Sequence, residues 1–452
     1  MDEMIVYAPL GMLGYGFPIH SLENAMKRNI QAMAMDAGST DPGPYFLGAG
    51  VSFTAKEMVK RDLGLILPAA RSKGVPLIIG SAGGAGGNIH LKWTLDILRD
   101  IAVQKGLHFK LATISGEVEK GYVKDKLARG LIFDFELGKP LNAEEVDRSV
   151  RIVAQMGVEP IIRALDEGAE VILAGRAFDA ALVAAVPIRA GFDPGLALHM
   201  GKILECGALV ALPRESDGML GILQKDHFLV EPADPYKRCT VETVAAHSLY
   251  EKSDPVYLDM PGGRLDLSNT RFERWDNRMV RVSGSRFLKR EKYFLKLEGA
   301  RRVGFRTVCI AGARDPILLL HLDEVVDTVK TKIKRDLQGV FPNEDYQILY
   351  HLYGRDGVMG ALEPQKKVLG HEVGVVIEVV ARTRKIANTI AALARSATLH
   401  TGYEGRKATA GNLAFLFSPA EFPAPEVYAF NVYHLMEVDD PCEMFSMQIE
   451  DL

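Results

Sequence analysis

The chain has 452 residues, more than the roughly 250–300 at which a single hydrophobic core stops growing, so two domains are expected. With 48% hydrophobic and 25% charged residues and a net charge of −4, it reads as an ordinary globular protein. Without a Lys/Arg cluster or an aromatic–basic stripe, a nucleic-acid scaffold is excluded. No apolar run approaches the ~20 residues that cross a bilayer, and "MDEMIVYAPL" opens on acids where a secretion signal would carry basic residues. Cys206, Cys239, Cys309 and Cys442 form no C-x-x-C pair. A cytoplasmic protein without disulfides, without a membrane partner and without a thiolate zinc site is therefore expected.

In chain order, "MIVYAPL" reads as a strand, "SLENAMKRNI" as a helix opening near Ser21, and "QAMAMDAG" as a second strand. "VPLIIG" is a strand leading through "GSAGGAGGN" into the helix "IHLKWTLDILRDIAVQKG", which Gly106 ends. "HFKLATIS" is a strand, and "NAEEVDRSVRIVAQMG" a helix with an N-x-x-E capping box at Asn142 and Glu145. "AEVILAG" is a strand and "DAALVAAVPIRAG" a small-residue helix. "DPGLALHMGKILECGALV" is a helix with Asp193 as cap and Pro194 at its first position. Apolar strands without alternation, each followed by a helix, predict a doubly wound α/β domain with a mostly parallel sheet over residues 1–215.

Beyond Pro213 to Gly221 the texture changes. Short alternating strands alternate with Gly, Asn, Asp and Pro turns, interrupted by the helix "TVETVAAHSLYE". A long helix "PILLLHLDEVVDTVKTKIKRDL", a strand "EVGVVIEVVA", a helix "TRKIANTIAALARSATLH" and a closing strand "PEVYAFNVYHLMEV" follow. This pattern predicts a second, α+β domain over residues 216–452, contributing to a site or to assembly.

In open parallel sheets, ligands bind outside the carboxyl ends of the strands. Three stretches fall there. The loop "DAGSTDPGP" presents Asp36, Ser39, Thr40 and Asp41, stiffened by two prolines; it is a candidate site floor, with a turn or helix cap as the plain alternative. "GSAGGAGGN" holds five glycines between Gly80 and Gly87. It lacks the G-K-[ST] of a P-loop and the spacing of a dinucleotide fingerprint. Gly83, Gly84, Gly86, Gly87 and Asn88 are thus candidates for a carboxylate or phosphate cradle, against tight helix-on-sheet packing. "LAGRAFDAA" offers Arg176 and Asp179, an anion grip or a buried ion pair.

On the helix after Asp193, His199, Lys202, Glu205 and Cys206 are spaced three, three and one apart, so that His199, Lys202 and Cys206 share a face, as an acid/base or metal set needs. A divalent metal is the weaker reading there, and no cofactor is firmly implied. In the second half, Lys237, Arg238 and His247 gather near a helix start. Arg406 and Lys407 sit in a glycine-rich turn, with surface solvation as the alternative.

The strings "DAGSTDPGPYFLGAG", "IIGSAGGAGGNIHL", "ILECGALVALPRESDG", "VEPADPYKRCTVETVAAHSLYEKSDP" and "GFRTVCIAGARDPILL" together resemble the acyclic terpene utilization AtuA family over nearly the whole chain. The resemblance implies a bacterial catabolic setting for branched or terpenoid acyl chains or short branched dicarboxylates. It also implies that a small separate partner protein accompanies some members. "GMLGYGFP" replaces the family's Gly-Phe-Trp-Gly-Asp-like turn after the first strand, which marks a divergent subfamily. The acidic, Met- and Phe-bearing "EVDDPCEMFSMQIEDL" is a candidate docking tail or a plain ordered terminus.

The leading expectation is a hydro-lyase, oligomeric, on a small branched carboxylic acid or its CoA thioester. Asp36 or Asp41 is the candidate base and His199 or His247 the candidate acid. The glycine loop, Ser39, Thr40, Arg176, Asp179, Arg238 and Arg406 are the anion-binding candidates. An isomerase on the same substrates and a non-catalytic acyl-binding or scaffolding subunit of a heteromer are the alternatives. A nicotinamide dehydrogenase has the wrong glycine spacing.

Overall fold

A computed structural model describes residues 2–135, 137–250, 252–365 and 370–452. Two compact units emerge, residues 1–301 with 430–452, and residues 302–429. The chain passes between them in two long strands, Tyr293–Ala313 and Glu421–Val438. The change of texture near residue 215 is therefore a change of strand direction within one sheet, because Met219–Gln224 pairs antiparallel along the whole first strand.

In the larger unit, β1 (Glu3–Ala8), β2 (Ala32–Asp36), β3 (Leu77–Gly80), Val171–Ala174 and β4 (Lys110–Ile114) lie side by side in that order. All four pairings are parallel. Antiparallel strands extend both edges: Met219–Gln224, His227–Pro232, Val280–Ser283 and Arg271–Arg274 beyond β1, and Met447–Asp451 beyond β4. The C-terminal "MQIED" is thus an edge strand of the main sheet, bonded along all of β4.

Strands such as "LIIG" and "VILA" are buried on both faces, which is why they read as continuous apolar runs. On one face Ile5, Tyr7, Met33 and Met35 pack with the helices Lys56–Lys73 and Asn88–Lys105. On the other, Val6, Ala8, Ala34 and Ile172 pack with the helices Glu159–Asp166, Asp179–Arg189 and Pro194–Leu204.

The caps behave as their residue types demand: the Asp193 and Asn142 side chains accept the N–H groups of Leu196 and Glu145, each at 2.9 Å. Two expected helices are cut. After the short helix Ala143–Arg148, "SVRIVA" forms a strand, since Ser149–Ala154 pairs with Leu297–Arg301. The expected long helix breaks at His321 into Pro316–Leu320 and Leu322–Asp336.

In the smaller unit, antiparallel strands including Tyr346–Tyr353 and Val373–Ala381 bury one face against the helices Leu322–Asp336 and Arg384–His400. Among the described residues no helix is long and apolar enough to cross a membrane. All four cysteines are free thiols.

Candidate active site

β2, β3, β4 and Val171–Ala174 end at the same edge of the sheet, so the loops that follow them meet there. Gly38, at φ +143°, comes so close to the glycine loop that a Cβ built on it falls 2.6 Å from the Gly84 Cα. A Cβ on Gly86 falls 2.2 Å from the Arg176 backbone nitrogen, whose N–H donates to the Gly86 carbonyl at 3.1 Å. Several of these glycines therefore serve backbone-on-backbone packing of neighbouring loops. The loop's amides are largely engaged as well. Gly84 N–H donates to Ser81 and Gly86 N–H to Ala82. Asn88 N–H, at the start of its helix, donates to the Glu117 carboxylate at 2.7 Å. The anion at this helix N-terminus is the chain's own Glu117, so the expected cradle is filled from within.

Asp36 ends β2 and is 6% exposed. One carboxyl oxygen, Oδ2, accepts the Gly38 N–H at 2.9 Å; the other, Oδ1, is buried without a hydrogen-bond partner. Burial holds its carboxyl well above the usual carboxylate range, and the negative charges of Asp179 and Glu205 add to this against the pull of Arg176. Asp36 faces a crevice too tight to hold a water molecule. Its walls are mostly apolar (Leu10, Met35, Leu182, Val183, Leu204), and Asp36, Asp179 and Glu205 are the three carboxyls in its lining. These surroundings favour the protonated carboxyl, against the ionised form that the expected role of base needs.

Arg176 is the expected anion grip, and it is buried and occupied. Its Nε donates to Glu298 at 2.8 Å, and one terminal nitrogen reaches Ser81 Oγ, the Ala177 carbonyl and Asp179 at 3.2, 2.8 and 3.4 Å. Lys296 adds a second cation to Glu298 at 3.0 Å. The Arg–Asp ion pair foreseen as the alternative is present, but Glu298 is the main partner. Between these two cations Glu298 is held down at about 2 despite its burial. Ser81, at φ +46°, is the one positive-φ non-glycine residue described, and its hydroxyl lies between Arg176 and the Ala177 amide.

The helix Pro194–Leu204 divides its polar residues between two places. Lys202 and Glu205 form a buried ion pair, with Glu205 in the crevice wall. His199 lies among Ser285 Oγ (2.6 Å), Ser248 Oγ (3.0 Å) and the rings of Phe228 and Phe272. Burial lowers its pKa to about 3, so it is neutral and its ring nitrogens are both engaged. It does not line the crevice, and its partners give it a packing role in place of the expected acid role. His247 stacks on Tyr250 at 5.2 Å, and burial together with the charge of Lys202 lowers its pKa to about 4. The Lys202 ammonium lies 5.5 Å from the same Tyr250 ring.

The remaining candidates disperse. Ser39 donates to Asp41 at 2.7 Å on the exposed side of the loop, while Thr40 is buried. Arg238 is exposed and lines a separate surface hollow with Thr240, Glu242 and Arg274. In the smaller unit Arg406 donates to the carbonyls of His400, Thr401, Ala408 and Ala410, which closes a helix end and leaves no open anion site. Among the described residues no three of His, Cys, Asp and Glu are grouped to hold a metal. Sequence reasoning named Glu205 beside Lys202 without giving it a role, and it left out Glu298, Lys296 and Glu117. Glu205 had a signal in its spacing from Lys202; the others depend on contacts across the fold.

The AtuA model, described as acyclic terpene utilisation family protein AtuA, matches residues 55–213 and 226–421. The chain belongs to this family. No curated protein and no solved structure matches it. The matched stretches carry the AtuA chain's glycine loop, Arg176, the Lys202–Glu205 pair and Glu298. They begin after the Asp36 loop.

Proposed function

We propose that this AtuA protein is a hydro-lyase that adds or removes water on a small branched carboxylic acid or its CoA thioester, with Asp36 as the acid. One observation carries the reading: a buried carboxyl, one oxygen without a hydrogen-bond partner and its proton affinity raised by burial, faces a mostly apolar crevice at the carboxyl edge of a parallel sheet. A departing hydroxyl needs such a proton, and a general acid placed out of bulk water supplies it best when its pKa is raised towards neutrality. The family's description, utilisation of acyclic terpenes, fits a branched aliphatic substrate whose chain lies on Leu182, Val183 and Leu204.

A non-catalytic acyl-binding subunit is the second reading, favoured by the saturation of Arg176 and of the glycine loop by Glu298 and Glu117. Mass spectrometry on the purified protein, offered branched hydroxyacids, unsaturated acids and their CoA thioesters, separates the two. A mass change of one water, reduced about a hundredfold or more in Asp36→Asn, supports the hydro-lyase. Retention of a panel member without turnover gives the second reading.

A further inference from the structure

The two buried carboxyls of the crevice differ in what surrounds them. Glu205 is in ion-pair contact with the Lys202 ammonium, three residues earlier on the same helix turn. Asp36 accepts one amide N–H, its second oxygen has no hydrogen-bond partner, and the charged groups that act on it are Asp179, Arg176 and Glu205. Two carboxyls facing one dry space do not both ionise unless each has a cation. The cation that acts on Asp36 is Arg176, which already serves Glu298 and Asp179. Where neighbours drive two such groups apart, their acid and base roles follow.

We propose that Asp36 and Glu205 form one acid–base pair across the crevice, Lys202 holding Glu205 as the carboxylate base while Asp36 keeps the proton. This rests on the hydro-lyase reading for its chemistry, though not for the pairing itself. In the dehydration direction the Glu205 carboxylate takes the hydrogen beside the carbonyl as a proton, and the C–H electron pair becomes the new double bond. The C–O bond breaks, and the hydroxyl leaves with the Asp36 proton as water. Asp36 is then the carboxylate and Glu205 the acid, and return of one proton from Glu205 to Asp36 resets the site; hydration is the reverse. Asp179, the third carboxyl, is bound to Arg176 at 3.4 Å and is more exposed than the other two. It acts on Asp36 as a fixed charge. The charge of Lys202 acts on His247 and Lys252, and the Tyr250 ring contacts both Lys202 and His247.

The pairing is tested by carbon-13 NMR of protein labelled at the aspartate carboxyl, with the Asp36 signal assigned by its loss in Asp36→Asn. Its titration is followed in the wild type, Glu205→Gln and Asp179→Asn, each checked for cooperative thermal unfolding. In Glu205→Gln the Asp36 midpoint is expected to fall by about one pH unit or more, a tenfold change in its protonation equilibrium; Asp179→Asn is expected to lower it too, as the loss of a fixed negative charge. An unmoved midpoint in Glu205→Gln overturns the pair. The chemistry is read separately, as deuterium uptake from solvent beside the carbonyl of saturated branched acyl-CoA analogues that carry no hydroxyl. Uptake retained in Asp36→Asn and reduced about a hundredfold in Glu205→Gln supports the roles; uptake retained in Glu205→Gln overturns them. Coupled titration with no uptake by the wild type leaves the pair standing and removes the hydro-lyase reading.

Discussion

Asp36 and Glu298 are both buried carboxyls of the same unit, and their environments push them in opposite directions. Glu298 has Arg176 at 2.8 Å and Lys296 at 3.0 Å and is held at about 2, well below its ordinary 4.5. Asp36 has one amide donor, two carboxyl neighbours and a bare oxygen, and it is raised. Burial alone therefore does not decide a carboxyl's role; the partners inside the buried space do. A saturated carboxylate holds loops together. An unsaturated one is a proton waiting for a recipient.

The largest effect is expected from removing the saturated member. Glu298→Gln leaves Arg176 and Lys296 as buried cations without their carboxylate, at a cost of about 3–5 kcal/mol, measured by denaturant unfolding at pH 7. The pH dependence has a definite sign. A carboxyl whose folded pKa is depressed gives stability that is present above its unfolded pKa near 4.5 and is lost as pH falls towards about 2. That shift corresponds to ~3 kcal/mol, so the gap between wild type and variant should narrow through this window. A gap that stays constant would mean that the ion pairs do not stabilise the unit.

Asp36 predicts the opposite slope. Its raised folded pKa means stability is unaffected below its unfolded value of 3.8 and falls as pH rises towards the folded one. Asp36→Asn should therefore be more stable relative to the wild type at pH 8 than near pH 4, read by denaturant unfolding at the two pH values. The support beneath Asp36 can be broken without touching the carboxyl. Gly38→Ala forces a side chain into a φ of +143° and against Gly84, which should cost about 1–3 kcal/mol. It should also weaken the N–H contact to Asp36, read as a further rise of the Asp36 midpoint; an unchanged midpoint breaks the link between the two loops and the acid.

Much of the larger unit was legible in the sequence because its signals are local. Apolar runs without alternation, glycine stops and the Asp193 and Asn142 caps each act within a few residues. The ligand edge followed from strand direction alone, which is why Asp36, the glycine loop and Arg176 were expected together and are found together. What stayed hidden depends on distant partners. Nothing near Arg176 announces Glu298, 122 positions away, and nothing near Asn88 announces that Glu117 fills its helix terminus. Charge at a strand end therefore read as an open anion site when most of it was already matched. His199 misled in the same way, since the serines that absorb it lie 49 and 86 positions away. The strand Ser149–Ala154 escaped because its partner strand comes some 150 residues later, and pairing overrode the helical pattern.

The smallest effect is expected at Asp41, and it sharpens the comparison most cheaply. Asp41 shares the Asp36 loop but is exposed, tied to Ser39 through its carboxylate and through its backbone N–H at 3.1 Å. Water already solvates it, so Asp41→Asn should change stability by less than about 0.5 kcal/mol. Its charge reaches the site only weakly, through Arg176, so the Asp36 titration should stay where it is. If burial with unmatched partners marks the working carboxyl, Asp41→Asn keeps turnover within about twofold while Asp36→Asn loses about two orders of magnitude. The reverse order would move the acid from the dry crevice to the solvated side of the loop, and stability and turnover measured on the two variants together would show it.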